Sequence, residues 1–230
     1  MFKLVMLQAG LTNQMDTLAT QPEGISTKFI DLAFKGGWIM IPIILLSIVG
    51  VYIFFDRYFA IKKAGRFDPN LLEKIKVYIS NGKIDEALTI CRATQNPASR
   101  MLEKGVSRIG RPLTDVNAAI ENVGNLEISK LEKGLPVLAS VAGGAPMLGF
   151  LGTVMGMIQA FYDMANAGNN IDVTLLSTGI YQAMVTTVTG LTVGIIAYFA
   201  YNILVASVEK VVFKMEATTS EFMDLLNEPA

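Results

Sequence analysis

Histidine is missing from this 230-residue chain, and cysteine occurs once. The usual nitrogen and sulfur ligands for zinc or haem are therefore lacking, and no intramolecular disulfide can form. Charge is missing in a more telling way. No acidic or basic residue falls from Gly36 to Phe55, from Gly134 to Tyr162, or from Val173 to Val208, runs of 20, 29 and 36 residues. As a helix rising about 1.5 Å per residue, about 20 apolar residues cross the roughly 30 Å hydrocarbon core of a bilayer. Hydrophobic residues make up 52% of the chain, and they are concentrated in these blocks instead of recurring at a helical or strand period. The expected fold is an all-α membrane protein with three transmembrane helices, the second and third extended beyond the membrane, and a helical domain between the first two.

The formal net charge of -1 hides an asymmetry. Of 19 Lys and Arg, 14 lie between Arg57 and Lys133, three precede the first run (Lys3, Lys28, Lys35) and two follow the third (Lys210, Lys214). Basic residues near span ends face the cytoplasm. Arg57, Lys62, Lys63 and Arg66 crowd the exit of the first run, and Lys130 and Lys133 stand at the entry of the second. The predicted order is a periplasmic segment over 1–35, a first transmembrane helix over 36–56, a cytoplasmic helical domain over 57–134, a second transmembrane helix over 135–162, a short periplasmic loop over 163–172, a third transmembrane helix over 173–205 and a cytoplasmic tail over 206–230. The run Leu4-Val5-Met6-Leu7 is too short for a signal-peptide core, so the first span is expected to be the insertion signal.

Within 1–35, Ile25, Phe29 and Leu32 with Lys28 and Lys35 sketch a short amphipathic helix at the interface. Trp38 and Tyr58 bracket the first span as interfacial anchors. Between the first two spans, Asp68-Pro69, Asn81-Gly82, Asn96-Pro97 and Arg111-Pro112 punctuate short amphipathic helices. The helix after Pro112, with Thr114 as its expected cap and Asp115 in its first turn, is predicted to run straight into the second span. Leu204, Val208, Val211, Met215, Phe222 and Leu225 keep an apolar seam near 3.5 residues, so the third span is predicted to continue as a helix past the membrane.

The second span carries Ala145, Gly149, Gly152, Gly156 and Ala160 at steps of three or four, a small-residue face of the kind that lets backbones approach in lipid. The third has Ala183, Gly190 and Gly194, interleaved with eight hydroxyls and amides between Thr174 and Thr192. Any one Thr on a membrane helix most often bonds its own backbone carbonyl. Eight within 19 residues point to a protein-facing or hydrated path. Gln182 is the sharpest of them, because a buried primary amide wants up to about four partners. All 20 carboxylates lie outside the three runs. A proton relay normally needs a titratable group near mid-membrane, so a conducting path would borrow one from another subunit. With no nucleophile and base pair visible, no enzymatic activity is expected, and neither a cofactor nor a nucleic-acid partner is called for.

The segments GAPMLGFLGTVMGMIQAF (Gly144–Phe161) and QAMVTTVTGLTVGIIAYFAYN (Gln182–Asn202) resemble the two signature helices of the MotA/TolQ/ExbB proton-channel family. Three spans around one large loop resemble ExbB and TolQ more than MotA, which has four. The resemblance implies a homopentamer in the bacterial inner membrane around the helices of two ExbD-like subunits, each supplying an essential Asp, and ion flow that energises a TonB-like protein. By the same resemblance Thr153 in LGTVMG and Thr187 in VTTVTG match pore-lining threonines. Gln182 stands where ExbB proteins often carry Glu, which leaves the partner Asp as the titratable group. A Gln there avoids the cost of roughly 2.5 to 3.5 kcal/mol for a charge at the helix centre. Two alternatives stay open: the same fold serving a TolQ-like, gliding or stator motor, and a non-conducting membrane scaffold.

Overall fold

A computed structural model describes residues 36–68, 70–94, 96–166 and 173–227, and among them the regular structure is helical throughout. The expected interfacial helix at Ile25–Leu32 lies outside the described residues. Among the described residues seven helices follow in order: α1 Met40–Ala64, α2 Leu71–Ser80, α3 Ile84–Ala93, α4 Pro97–Val106, α5 Leu113–Glu132, α6 Leu135–Asn166 and α7 Val173–Asn227. Stretches long and apolar enough to cross a membrane fall within Met40–Ala64, Leu113–Asn166 and Leu176–Asn227. The chain is an all-α protein with three membrane-spanning helices. As the apolar seam predicts, α7 continues unbroken for 55 residues, well past what a bilayer crossing needs.

The structure divides into two compact units. One holds Ile43–Met147 and the chain from Gly190 onward. Here α2, α3, α4 and α5 pack in succession, and Asn81-Gly82, Asn96-Pro97 and Arg111-Pro112 fall at the breaks between helices, as the sequence predicts, while Pro69 lies outside the described residues. Gly82 takes a left-handed φ of 72° between α2 and α3, a conformation that costs glycine little. Asn96 caps α4: its side chain accepts from the Ser99 N–H at 2.7 Å, and its own N–H donates to Ser99 Oγ at 3.3 Å. These two bonds satisfy donors that a bare helix end leaves open, and Pro97 follows where a missing N–H costs nothing. Leu204, Val208, Val211, Met215 and Phe222 of α7 are all buried in one cluster with Ile75, Leu102 and Ile120. A Cβ added at Gly105 would stand 2.6 Å from Phe222 Cε1 and 2.7 Å from Ile120 Cδ1, so the glycine makes room for the ring.

The same unit contains a buried carboxylate. Glu127 is 5% exposed and accepts from Arg100 Nη1 at 2.7 Å and Lys130 Nζ at 2.6 Å. Left unpaired, a buried charge would be strongly destabilising. Outside the membrane, the Asn70 N–H and then the Lys74 ammonium hold the Asp68 carboxyl below its ordinary range. Burial, reinforced by the charge of Glu103, pushes the Cys91 thiol up to about 11.

Two expectations need correction. The helix from Pro112 does not run straight into the second span: α5 stops at Glu132, and Gly134 adopts a φ of 88° before α6 resumes. The interruption is two residues long, and Gly134 supplies the backbone freedom it requires. Thr114 is not the cap either. The N-cap is Pro112, with no side-chain cap bond, because its restricted φ starts the helix early and leaves Thr114 inside the first turn.

The other unit holds the described residues up to Pro42 together with Leu148–Thr189. It contains most of the residues singled out in the second and third spans.

Candidate functional site

Small residues bring α6 and α7 together in this second unit. A Cβ added at Gly152 would lie 2.6 Å from Thr186 Cβ, and one at Gly156 would lie 3.0 Å from Ala183 Cβ and 3.1 Å from the Gly179 carbonyl oxygen. From the other side, a Cβ at Gly179 would meet Ala160 Cβ at 2.5 Å. Positions rise along α6 as they fall along α7, the pattern of antiparallel helices in backbone contact. The neighbour that Gly152 and Gly156 admit is therefore α7 of the same chain. Gly149 is buried in the same row.

Ala145, Gly190 and Gly194 belong to the other unit, and all three are buried. Gly194 has a specific neighbour there: a Cβ on it would stand 2.6 Å from Pro146 Cδ and 3.0 Å from the Ala142 carbonyl oxygen. Pro146 lies inside α6 and has no N–H to give to that carbonyl. The sequence reading left this proline unused, although a proline within an apolar run facing a glycine-bearing helix signals a tight crossing.

Most hydroxyls on these helices fold back on their own backbone. Thr178 donates to the Thr174 carbonyl at 2.8 Å, Thr189 to Val185 at 2.8 Å and Thr186 to Ala183 at 2.8 Å. Thr153, half-buried, donates to the Phe150 carbonyl at 2.5 Å. Thr187 differs. Its hydroxyl reaches the other helix and donates to the Gly149 carbonyl at 3.0 Å. Thr153 and Thr187 thus spend their hydroxyl protons separately and share no bond.

Gln182 is half-buried, and its amide nitrogen occupies the space that a Cβ at Gly37 would take. Gly37 has a φ of 72°, so its bare α-carbon serves both the turn before α1 and the Gln182 amide. A second amide, which the sequence reading passed over, lies at the end of the second uncharged run. Gln159 Nε2 donates to Asp163 Oδ1 at 2.8 Å, an i,i+4 pair whose spacing was the available signal.

Between Leu148 and Tyr162 and between Val173 and Thr189 there is no carboxylate, Lys, Arg or His. What these helices offer is a wall of hydroxyls, amides and carbonyls beside exposed apolar side chains such as Phe150, Ile158 and Met184. Such a wall can orient water and accept or donate hydrogen bonds. It supplies no carboxylate to bind and release a proton.

Comparison with known proteins converges on the same helices. The model of the MotA/TolQ/ExbB proton channel family matches residues 93–217, more than half of the chain. An ExbB homologue of Methanothermobacter thermautotrophicus is 29% identical over 188 residues, covering 81% of this chain and 66% of that protein. The Tol-Pal system protein TolQ of Haemophilus influenzae is 34% identical over 106 residues, 46% of each chain. The biopolymer transport protein ExbB of Aquifex aeolicus is 35% identical over 92 residues, 40% of this chain and 62% of that one. The match spans less than two thirds of the length of each of these relatives. Its extent across α4 to α7 shows that the chain is a multi-pass membrane protein of the MotA/TolQ/ExbB proton channel family, most like ExbB and TolQ.

Proposed function

We propose that this chain is the channel-forming subunit of an ExbB-like motor in a bacterial inner membrane, which couples proton-motive force to a TonB-like, periplasm-spanning partner for outer-membrane transport. The observation that carries this reading is the α6–α7 pair: closely packed, rich in hydroxyls and without a carboxylate through Leu148–Tyr162 and Val173–Thr189. Such a pair can wall a path and cannot complete one. The missing carboxylate is the Asp of an ExbD-like partner, two copies of which sit inside a pentamer of this chain. Thr153, Thr187 and Gln182 face that lumen, and Gln182 orients water or the partner Asp. The basic segment 57–134 and the tail 206–230 are cytoplasmic, and 1–35 and 163–172 periplasmic, because Lys and Arg crowd the ends of α1 and α5. One elementary charge crossing 100 mV releases about 2.3 kcal/mol, so a few protons supply a mechanical step.

The chain reconstituted alone in liposomes is expected to assemble and to show little proton uptake. Adding the partner creates uptake, and replacing the partner's intramembrane Asp with Asn abolishes it. Flux through the isolated chain matching that of the complex would overturn the reading. The identity to TolQ over 106 residues favours a second client, an envelope-maintenance system. The intact mass of the complex and the periplasmic domain of the co-purified partner separate the two.

A further inference from the structure

A groove between α1 and α7, in the unit that also holds the bundle, is used by neither the candidate path nor the bundle core. Its apolar part has a volume of about 500 Å³ and is walled by side chains such as Val51 and Phe55 of α1, Val141 of α6, and Ile196 and Ile203 of α7. Among the lining side chains, Ser47 is the one with a polar atom. Further along the same two helices, a second hollow of about 320 Å³ opens between Tyr58 and Lys62 on α1 and Ser207, Lys210 and Lys214 on α7. The lining changes from hydrocarbon to ammonium where the uncharged runs end, at Phe55 on α1 and Val208 on α7.

The three lysines are not committed to carboxylates. Among the described residues none of them makes an ion pair. Instead Lys62 Nζ stands 5.7 Å from the Tyr58 ring centroid, and Lys214 Nζ stands 5.6 Å from that of Phe67. Long stems lie along apolar surface while the charged heads reach the edge of the hydrocarbon. Nearby carboxylates do not cancel them: Asp56 is bound to Arg57, and Glu209 is exposed.

We propose that this groove holds an anionic phospholipid, with its acyl chains along the apolar part and its phosphate among Lys62, Lys210 and Lys214. Basic pockets between membrane helices at the edge of the hydrocarbon suit anionic head groups. A zwitterionic head group would bring its own cation to the same three lysines. A second copy of the chain seated here would have to answer three ammonium groups with carboxylates, and at the matching ends of its uncharged runs it has Asp56, already paired, Glu132 and Glu209, fewer free carboxylates than ammonium groups.

The test uses the full chain in mild detergent with an equimolar mixture of phosphatidylglycerol and phosphatidylcholine of identical acyl chains, read by native mass spectrometry. Phosphatidylglycerol is expected to be retained with a preference of at least about tenfold. The triple variant Lys62→Gln, Lys210→Gln, Lys214→Gln should lose that preference with its helical circular dichroism unchanged, and each single variant should lose part of it. Val51→Trp, at a half-exposed wall position, should reduce retention of both lipids. Glycerol phosphate should not compete. Equal retention of the two lipids by the native chain, or an unchanged preference in the triple variant, would overturn the proposal. Full competition by glycerol phosphate would assign the hollow to a soluble anion and also overturn it. So would Val51→Trp if it weakened self-association and left lipid retention intact, since that result gives the groove to a second copy.

Discussion

The bundle and the α6–α7 pair are both helix packings, yet they are filled in opposite ways. In the bundle, Phe222, Ile75, Leu102 and Ile120 are fully buried, and Gly105 yields space to a ring. Between α6 and α7 the contacts run through Gly152, Gly156, Gly179, Ala160 and Ala183, with backbone against backbone. Water explains the first arrangement. Each square ångström of apolar surface withdrawn from it contributes about 25 cal/mol, so large side chains are favoured inside. Lipid explains the second: acyl chains are as apolar as Leu, burial gains little, and close approach of backbones supplies the attraction.

Trimming the bundle should have the largest effect. Phe222→Ala removes a fully buried ring and is expected to cost about 3 to 5 kcal/mol, read as a lower denaturation midpoint of the solubilised chain. An unchanged midpoint would show that the bundle does not depend on large side chains. Adding one methyl group to each region sharpens the contrast. Gly179→Ala meets Ala160 Cβ and the Gly156 carbonyl, neither of which can rotate away, and should cost about 1 to 3 kcal/mol. Gly105→Ala meets the end of Ile120 and the edge of Phe222, and combining it with Phe222→Leu should recover most of its loss. If a trimmed neighbour rescued Gly179→Ala equally well, the distinction would fall.

The threonines come next. Thr187→Val removes the bond to the Gly149 carbonyl and should lower stability by about 0.6 kcal/mol, a typical value for an interhelical bond in a membrane. Thr153→Val loses a bond within its own helix and should leave stability almost unchanged. If Thr153 faces the lumen, partner-dependent proton uptake should fall in this variant while assembly persists, and unchanged uptake would remove it from the path.

Cys91 has no effect at neutral pH and acts in alkali alone. With its thiol pushed from an ordinary 9.0 to about 11, the folded chain holds a proton that the unfolded chain releases between those values. Stability should decline as pH rises from about 9 to 11. Alkylation by iodoacetamide at pH 8 should be slow until the bundle unfolds, and rapid modification of the native protein would contradict the burial.

Where one periodicity or one turn residue decides the structure, the sequence was readable. The apolar seam of α7 was visible because its spacing leaves one face, and Asn81-Gly82 and Asn96-Pro97 break helices by their own backbone chemistry. Gly134 was harder: a glycine beside an apolar run can be an ordinary helix residue or a left-handed step, and the choice depends on how α5 and α6 pack. A row of glycines announces a close neighbour without naming it, and the fold, not the row, identifies that neighbour as α7. Likewise eight polar residues on one span suggested a shared path, yet Thr178, Thr186 and Thr189 satisfy themselves locally and Thr187 reaches across. Side-chain direction, not composition, separates those cases.

The contact of the Gln182 amide with Gly37 has a consequence for how the chain can change over generations. Position 37 is closed to other residues twice, by its left-handed backbone and by the amide that fills the place of a side chain. Shortening residue 182 would lift one barrier and leave the other standing. Position 182 is less bound, since a Glu has nearly the shape of Gln and would bring a charge without needing new room. The two positions are therefore constrained unequally: position 37 is held by its backbone as well as by its neighbour, position 182 by its neighbours alone, and a side chain at 37 would require the turn that leads into α1 to be rebuilt.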